Sequence, residues 1–149
     1  MAYFELKINS ENTDPINFLI VEEDKNTITD IQFFMNTLND NTLNRSQSVR
    51  AEFIIKGSID DKSKSEIQKL AAWAIATEKD KIYRNINIIV RDNEDPSGET
   101  LRRYNFSEMF VIDYKEIFKQ KTDDKDDQGS FELLIAQKEK GKVKEVLPN

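Results

Sequence analysis

Apolar and polar positions alternate along most of this chain, and that period of two predicts strands for most of its length. Ala2 to Ile8 reads as a first strand, with Tyr3 set against Phe4, Leu6 and Ile8, and a polar loop from Asn9 to Pro15 follows. The apolar run Ile16 to Val21 reads as a second strand, and Glu22 to Asn26 as a turn. Thr27 to Leu38 satisfies either period, because Ile31, Phe34, Met35 and Leu38 fit helical spacing while the composition fits a strand; we read it as strand. Asn39 to Ser48 is rich in Asn and Ser, whose side chains bond nearby backbone, and predicts a long exposed loop. Val49 to Ile55 is a strand closed by Lys56-Gly57-Ser58.

The period then changes. Ser63-Lys64-Ser65-Glu66 has the form of a capping box, in which Ser63 accepts from the Glu66 amide and Glu66 reaches back. Ile67, Leu70, Ala71 and Ala74 follow at helical spacing, with Trp73 on the flank, so one helix is expected to cover the sheet. Strand pattern returns at Tyr83, with Ile86, Ile88 and Val90 against Asn85, Asn87 and Ile89, and Asp92 to Gly98 turns the chain. Thr100 to Phe118 is long, with Tyr104, Phe106, Phe110, Ile112 and Tyr114 at even spacing. A break or bulge near Ser107-Glu108-Met109 is expected to divide it into two strands. A charged loop, Lys119 to Gln128, leads to Gly129-Ser130 and a last strand, Phe131 to Lys138. Lys140 to Asn149 reads as a fraying tail in which Val143, Val146 and Leu147 dock weakly. The fold class is therefore mainly β with a single mid-chain helix.

Length and composition narrow the chemistry. The 149 residues, 38% hydrophobic and 34% charged, suit one domain spanning 1–149 and not two. The chain has no histidine and no cysteine, which removes His-dependent triads, thiol nucleophiles, disulfides and Cys/His zinc sites. With 22 basic and 28 acidic residues its formal charge is −6, which argues against specific nucleic-acid binding and favours solubility. Met1 to Lys7 lacks the basic start and apolar run of a secretory signal, and no window reaches the roughly 20 apolar residues of a membrane span. Cytoplasmic production without membrane insertion is expected, with any release using a route without a cleaved signal.

Asp123 to Gly129 resembles part of a calcium loop, with Asp124, Asp126, Gln128 and Gly129 at its first, third, fifth and sixth positions. The twelfth position is Ile135 where a glutamate is required, so a solvated hairpin loop is the better reading. Glu52, Glu108, Asp113 and Glu132 are carboxylates on strands, and no two are fixed at a catalytic separation. Arg102 and Arg103 are adjacent on a strand, point to opposite faces and form no clamp. Trp73 reads as a packing residue ahead of a contact residue. There is no Walker loop, no G-x-S-x-G and no dinucleotide fingerprint, and neither a cofactor nor a catalytic residue is expected.

The order of elements, with the helix Ser65 to Thr77 carrying Trp73, Asn85 to Asp92, Arg103 to Tyr114 and Gly129 to Lys138, resembles the tail-tube superfamily. That superfamily includes phage tail tube proteins, tube proteins of extracellular contractile injection systems and the haemolysin-coregulated protein of type VI secretion. The resemblance covers the C-terminal two thirds of the chain. It implies a β-barrel or sandwich with one helix, assembling into hexameric rings that stack into a hollow tube alongside sheath, baseplate or spike proteins. Assembly contacts are then expected in the two long loops, at Asn39, Asn41, Leu43 and Arg45 and at Lys121, Asp124 and Asp126. A small-ligand-binding barrel of the lipocalin type is the alternative, although a mid-chain helix and an acidic loop between late strands fit it poorly. A carboxylate-dependent hydrolase is a third reading.

Overall fold

The computed structural model describes residues 3–19, 27–37, 49–92, 99–120, 129–138 and 143–148. Among these residues eight strands and two helices follow in the order β1 (Tyr3–Ser10), β2 (Thr13–Phe18), β3 (Ile28–Thr37), β4 (Val49–Ile59), α1 (Lys64–Ala74), α2 (Lys79–Ile82), β5 (Arg84–Arg91), β6 (Thr100–Phe118), β7 (Gly129–Gln137) and β8 (Val143–Pro148). All pairings are antiparallel, in the spatial order β2-β1-β5-β6-β7-β4-β3, with β8 also on β6.

Several boundaries differ from the sequence reading. The first loop shrinks to Glu11-Asn12, because β1 runs to Ser10 and β2 begins at Thr13. Pro15 therefore lies inside a strand, which is tolerated because β2 is at the sheet edge and needs no outward N–H there. The ambiguous segment is strand β3, and β4 continues through Gly57 to Ile59. Val143–Pro148, expected to fray, pairs with Arg102–Phe106 instead.

β6 is one strand with two sets of partners. Thr100 to Met109 pairs with β5 on one side, and Arg102–Phe106 takes β8 on the other. Met109–Phe118 pairs with β7. The change falls at Glu108, whose φ of 55° is left-handed and unfavourable for a residue with a Cβ. Its carbonyl accepts from the Lys138 amide at 2.8 Å, and the carbonyl of Ser107 accepts from the Gln137 side chain at 3.2 Å. The expected bulge is thus present, but it bends the strand without ending it.

That bend folds the sheet over its own core. Phe33 on β3 lies three strands from β6, about 14 Å along a flat sheet. Its ring nevertheless comes within 4.8 Å of Tyr104 and 5.6 Å of Phe106, centroid to centroid. Phe18 on β2 likewise meets Phe131 on β7 at 6.2 Å. Only a curled, barrel-like sheet brings these pairs together. The half-sheet β6-β7-β4-β3 forms one wall, and β2-β1-β5 with the first part of β6 forms the other. Leu6, Ile8, Phe53, Ile55, Ile86, Ile88, Leu133 and Ile135 fill the space between, joined by Ile67, Leu70 and Trp73 of α1.

Two glycines sit where side chains crowd the backbone. A Cβ on Gly57 would lie 2.5 Å from the ring of buried Phe131 and 2.5 Å from the Thr27 carbonyl oxygen, neither able to retreat. A Cβ on Gly129 would crowd the ring of Phe118 at 2.8 Å, which is 64% exposed and can swing away, and would meet Ile59 at an ordinary contact distance of 3.4 Å. Gly57→Ala is expected to lower stability by about 1–3 kcal/mol in urea unfolding, the usual range for overpacking. Gly129→Ala is expected to lower it clearly less, and equal losses would show that Phe131 can move.

Candidate assembly surface

The sheet edges are the features that distinguish this molecule. A strand edge carries backbone donors and acceptors that pair with another chain unless something occupies them. At β2 the occupant is α1. Glu66 Oε2 accepts from the Asn17 amide at 2.7 Å, and Lys69 Nζ donates to the Pro15 carbonyl at 3.2 Å. Lys69 also donates to Glu66 Oε1 at 3.0 Å, so the two side chains form one clamp across the edge.

This use of Glu66 corrects the capping-box reading. Ser63 has φ −96° and ψ −6° and makes no side-chain cap. Its Oγ accepts from the Asp60 amide at 3.1 Å, while Asp60 Oδ1 accepts from the Ser63 amide at 2.9 Å. The S-x-x-E spacing is present, but a serine in helical conformation cannot aim its hydroxyl at the third amide.

The far end of α1 is anchored by the sole tryptophan. Trp73 is 2% exposed and donates from Nε1 to the Ile82 carbonyl at 2.8 Å, as the packing reading expected. Buried Arg84 stacks over its ring at 5.4 Å and donates from Nε to the Lys81 carbonyl at 3.4 Å. Burial lowers the Arg84 pKa from its ordinary value. Nothing in the strand pattern marked Arg84, since it occupies a core-facing position of β5.

The wall β3-β4-β7-β6 has open edges at both ends. Among the described residues β3 pairs only with β4, and positions 111–118 of β6 pair only with β7. The face of this wall turned away from the core has three rows of directly opposed residues. Asp30, Lys56, Glu132 and Lys115 form one; Gln32, Ile54, Leu134 and Asp113 the next; Phe34, Glu52, Ala136 and Phe110 the third. Lys115 Nζ approaches Glu132 Oε2 at 3.4 Å. Glu52, 4% exposed, pairs with Arg50 at 3.0 Å, and its Oε2 and Arg50 Nε have no hydrogen-bond partner among the described residues. Ile54, Leu134, Phe34 and Phe110 are only partly covered, and Ile112 and Ile117 are exposed. An antiparallel sheet with a solvated outer face usually carries polar residues there, so this apolar band is unusual.

On the core side of the open β6 edge, Tyr114 donates to Glu116 at 2.7 Å. Burial, then the hydrogen bond and the adjacent negative charge, hold its phenol well above the usual tyrosine range.

The candidate chemistry of the sequence resolves as follows. Glu52 and Glu132 are engaged by Arg50 and Lys115, Glu108 occupies the bend, and Asp113 lies opposite Leu134. Among the described residues no group of three or more carboxylates converges as a metal site. Arg102 stacks over Tyr104 at 5.6 Å and Arg103 is exposed, in line with opposite faces. Asn39, Asn41, Leu43, Arg45, Lys121, Asp124 and Asp126 lie outside the described residues, as do Asp123 to Gln128 of the calcium-loop reading. A cleft of about 270 Å³, lined by Thr29, Gly57, Ser58, Ile117, Lys119, Gly129 and Ser130, opens at the surface where β4, β6 and β7 end. No described helix is long and apolar enough to cross a membrane.

Removing the clamp tests its role at β2. Glu66→Ala is expected to speed hydrogen exchange at the Asn17 amide and to cost about 0.5–1.5 kcal/mol in urea unfolding, the net worth of such a bond. Unchanged exchange at Asn17 would show that another group seals the edge.

No family model matches the sequence, and a search of curated proteins finds no significant match. Solved structures do match. Hcp1 from Salmonella typhimurium is similar with a TM-score of 0.52 at 10% identity, over 91% of this chain and 81% of its own. A type six secretion system protein is similar with a TM-score of 0.50 at 14% identity, over 97% of this chain and 82% of its own. A chain of the extended-state sheath–tube complex of an extracellular contractile injection system, PVC, is similar with a TM-score of 0.50 at 14% identity, over 98% and 87%. At such identities the likeness is one of fold: the chain shares the mostly antiparallel β architecture, with its helix, of these Hcp1, type six secretion and sheath–tube chains.

Proposed function

We propose that this chain is a structural tube subunit of a contractile injection or type VI-like machine, not an enzyme, and that its copies join into hexameric rings that stack into a hollow tube. The observation that carries this reading is the wall with one open edge at each end, β3 and the second half of β6. The two edges differ, so copies meet head to tail, which is the contact that generates rings. Four antiparallel strands are an even number. Rotating one copy beside the next sets β6 against a β3 of opposite direction, and the sheet continues antiparallel around the ring.

The clamped edge of β2 supports the same reading. In two concentric layers the outer one must span a longer circumference with the same number of copies, so it is the layer that carries gaps. The wall with open edges is then the inner, continuous layer, and the outer layer contains the sealed β2. Gln32, Ile54, Lys56, Glu132, Leu134 and Lys115 face the lumen. The strand ends flanking residues 38–48 and 119–128 lie at opposite ends of the wall, Thr37 with Val49 at one and Phe118 with Gly129 at the other. That arrangement suits ring-to-ring contacts through Asn39, Asn41, Leu43 and Arg45 below and Lys121, Asp124 and Asp126 above.

The similar chains named for type VI secretion and for a sheath–tube complex favour a machine of this kind, with sheath, baseplate or spike proteins as partners. In this reading residues 1–149 act as one tail-tube domain, assembled in the cytoplasm and released with the particle, binding neither membrane nor specific nucleic acid. A lipocalin-like role has less support, because Phe33, Phe53, Tyr104 and Phe106 pack ring against ring within 4.8–5.6 Å where a ligand would need space.

Negative-stain microscopy with light scattering of the full-length protein tests the proposal. Six-membered rings, with mass rising as concentration rises, are expected. A monomer that persists at high concentration without rings would overturn it.

A further inference from the structure

We propose that the contact between copies is held in register by Asp30 of one copy facing Lys115 of the next. This rests on the reading that copies join through the open edges of the wall. The row Asp30, Lys56, Glu132, Lys115 alternates in sign across four strands. Each inner member faces an opposite charge on both sides: Lys56 lies between Asp30 and Glu132, and Glu132 between Lys56 and Lys115, which it bonds at 3.4 Å. The two end members face one each. Both are exposed, they carry opposite charges, and they stand on the two open strands. Among the described residues Asp30 also accepts from the neighbouring Thr29 hydroxyl, at 3.0 Å.

Setting Lys115 opposite the next copy's Asp30 continues the alternation without interruption. Opposite charges in directly facing positions are favourable and like charges are not. The row holds two acids and two bases per copy, so a closed ring of it is neutral whatever the number of copies.

The same register matches the other positions. On the lumen face, Asp113 comes opposite Gln32, while Phe110 lies just beyond the open stretch and packs against Tyr83 at 5.9 Å. On the core face, Tyr114 comes opposite Ile31 and Val111 opposite Phe33. Charge meets charge, amide meets carboxylate and apolar meets apolar. The bulge between Val111 and Asp113 belongs to β6 itself and travels with it. A slip of one residue would turn every side chain to the wrong face. A slip of two would put Asp113 against Phe34 and Ile117 against Asp30.

The absence of cysteine makes the test unambiguous. Within one copy positions 30 and 115 are three strands apart, about 14 Å, beyond the roughly 7 Å limit for a disulfide. The Asp30→Cys/Lys115→Cys double variant, oxidised after ring formation, is expected to give a ladder of covalent multimers on a denaturing gel. A one-to-one mixture of the two single variants should give covalent dimers only. Asp30→Cys/Ile117→Cys and Gln32→Cys/Lys115→Cys, which both sample the register slipped by two, should give none. Rings whose cross-links form only in a slipped pair would overturn the register and leave the tube reading intact. Failure of the unsubstituted protein to form rings would overturn the tube reading, and this contact with it.

Discussion

A backbone amide or carbonyl at the edge of a sheet needs a partner, and this chain meets that need differently at different edges. At β2 the partners are side chains, Glu66 on the Asn17 amide and Lys69 on the Pro15 carbonyl, with Pro15 itself removing a donor. At β3 and along positions 111–118 of β6 the side facing away from β4 and β7 carries no ladder among the described residues. The difference follows from where the helix lies. α1 packs Ile67, Leu70 and Trp73 into the core, which commits its polar side to β2, and among the described residues no comparable clamp lies on the edges of the other wall. A clamped β2 and an opposite wall open at both ends give the molecule a built-in direction for association.

β6 is what makes two layers from one sheet. Its 19 residues are too many for one wall, and the left-handed Glu108 divides the strand's partners between β5 with β8 and β7. The strain at that residue is offset by use of both neighbouring carbonyls, Ser107 by Gln137 and Glu108 by Lys138. Bending β6 sets Tyr104 and Phe106 over Phe33 and Phe53, so the aromatic core forms because the strand bends. The remainder, Val111–Phe118, is thereby left beyond the reach of β5, whose first residue, Arg84, pairs with Met109. The curvature that buries the core and the edge that remains open thus have one cause.

Much of the fold could be read from local pattern, and the failures have physical reasons. Period two located most strands, including β3, where β-branched and aromatic content outweighed the helical spacing of Ile31, Phe34, Met35 and Leu38. The bulge near Glu108 was legible because a charge interrupts an aromatic alternation. β8 was missed because its strand is short and exists through pairing with Arg102–Phe106, which no local window contains. The capping box misled because Glu66 had a better use 49 residues away, on Asn17. The charge row was invisible for the same reason: Asp30, Lys56, Glu132 and Lys115 come from four strands and align only once their registers are known. Site residues placed in the long loops came from an expectation about exposed segments, whereas the described surface that argues for assembly is built from strands.

The central claim is that the open edges of one copy are completed by the next. Amide hydrogen exchange measured as a function of protein concentration addresses it most directly. Amides of β3 and of residues 111–118 should exchange freely at dilutions where the protein is monomeric. They should become protected together as rings form, while Asn17 on the sealed edge stays unchanged. Equal exchange at the β3 and β6 edges in monomer and in ring would contradict the account, because the copies would then be joined by some other surface.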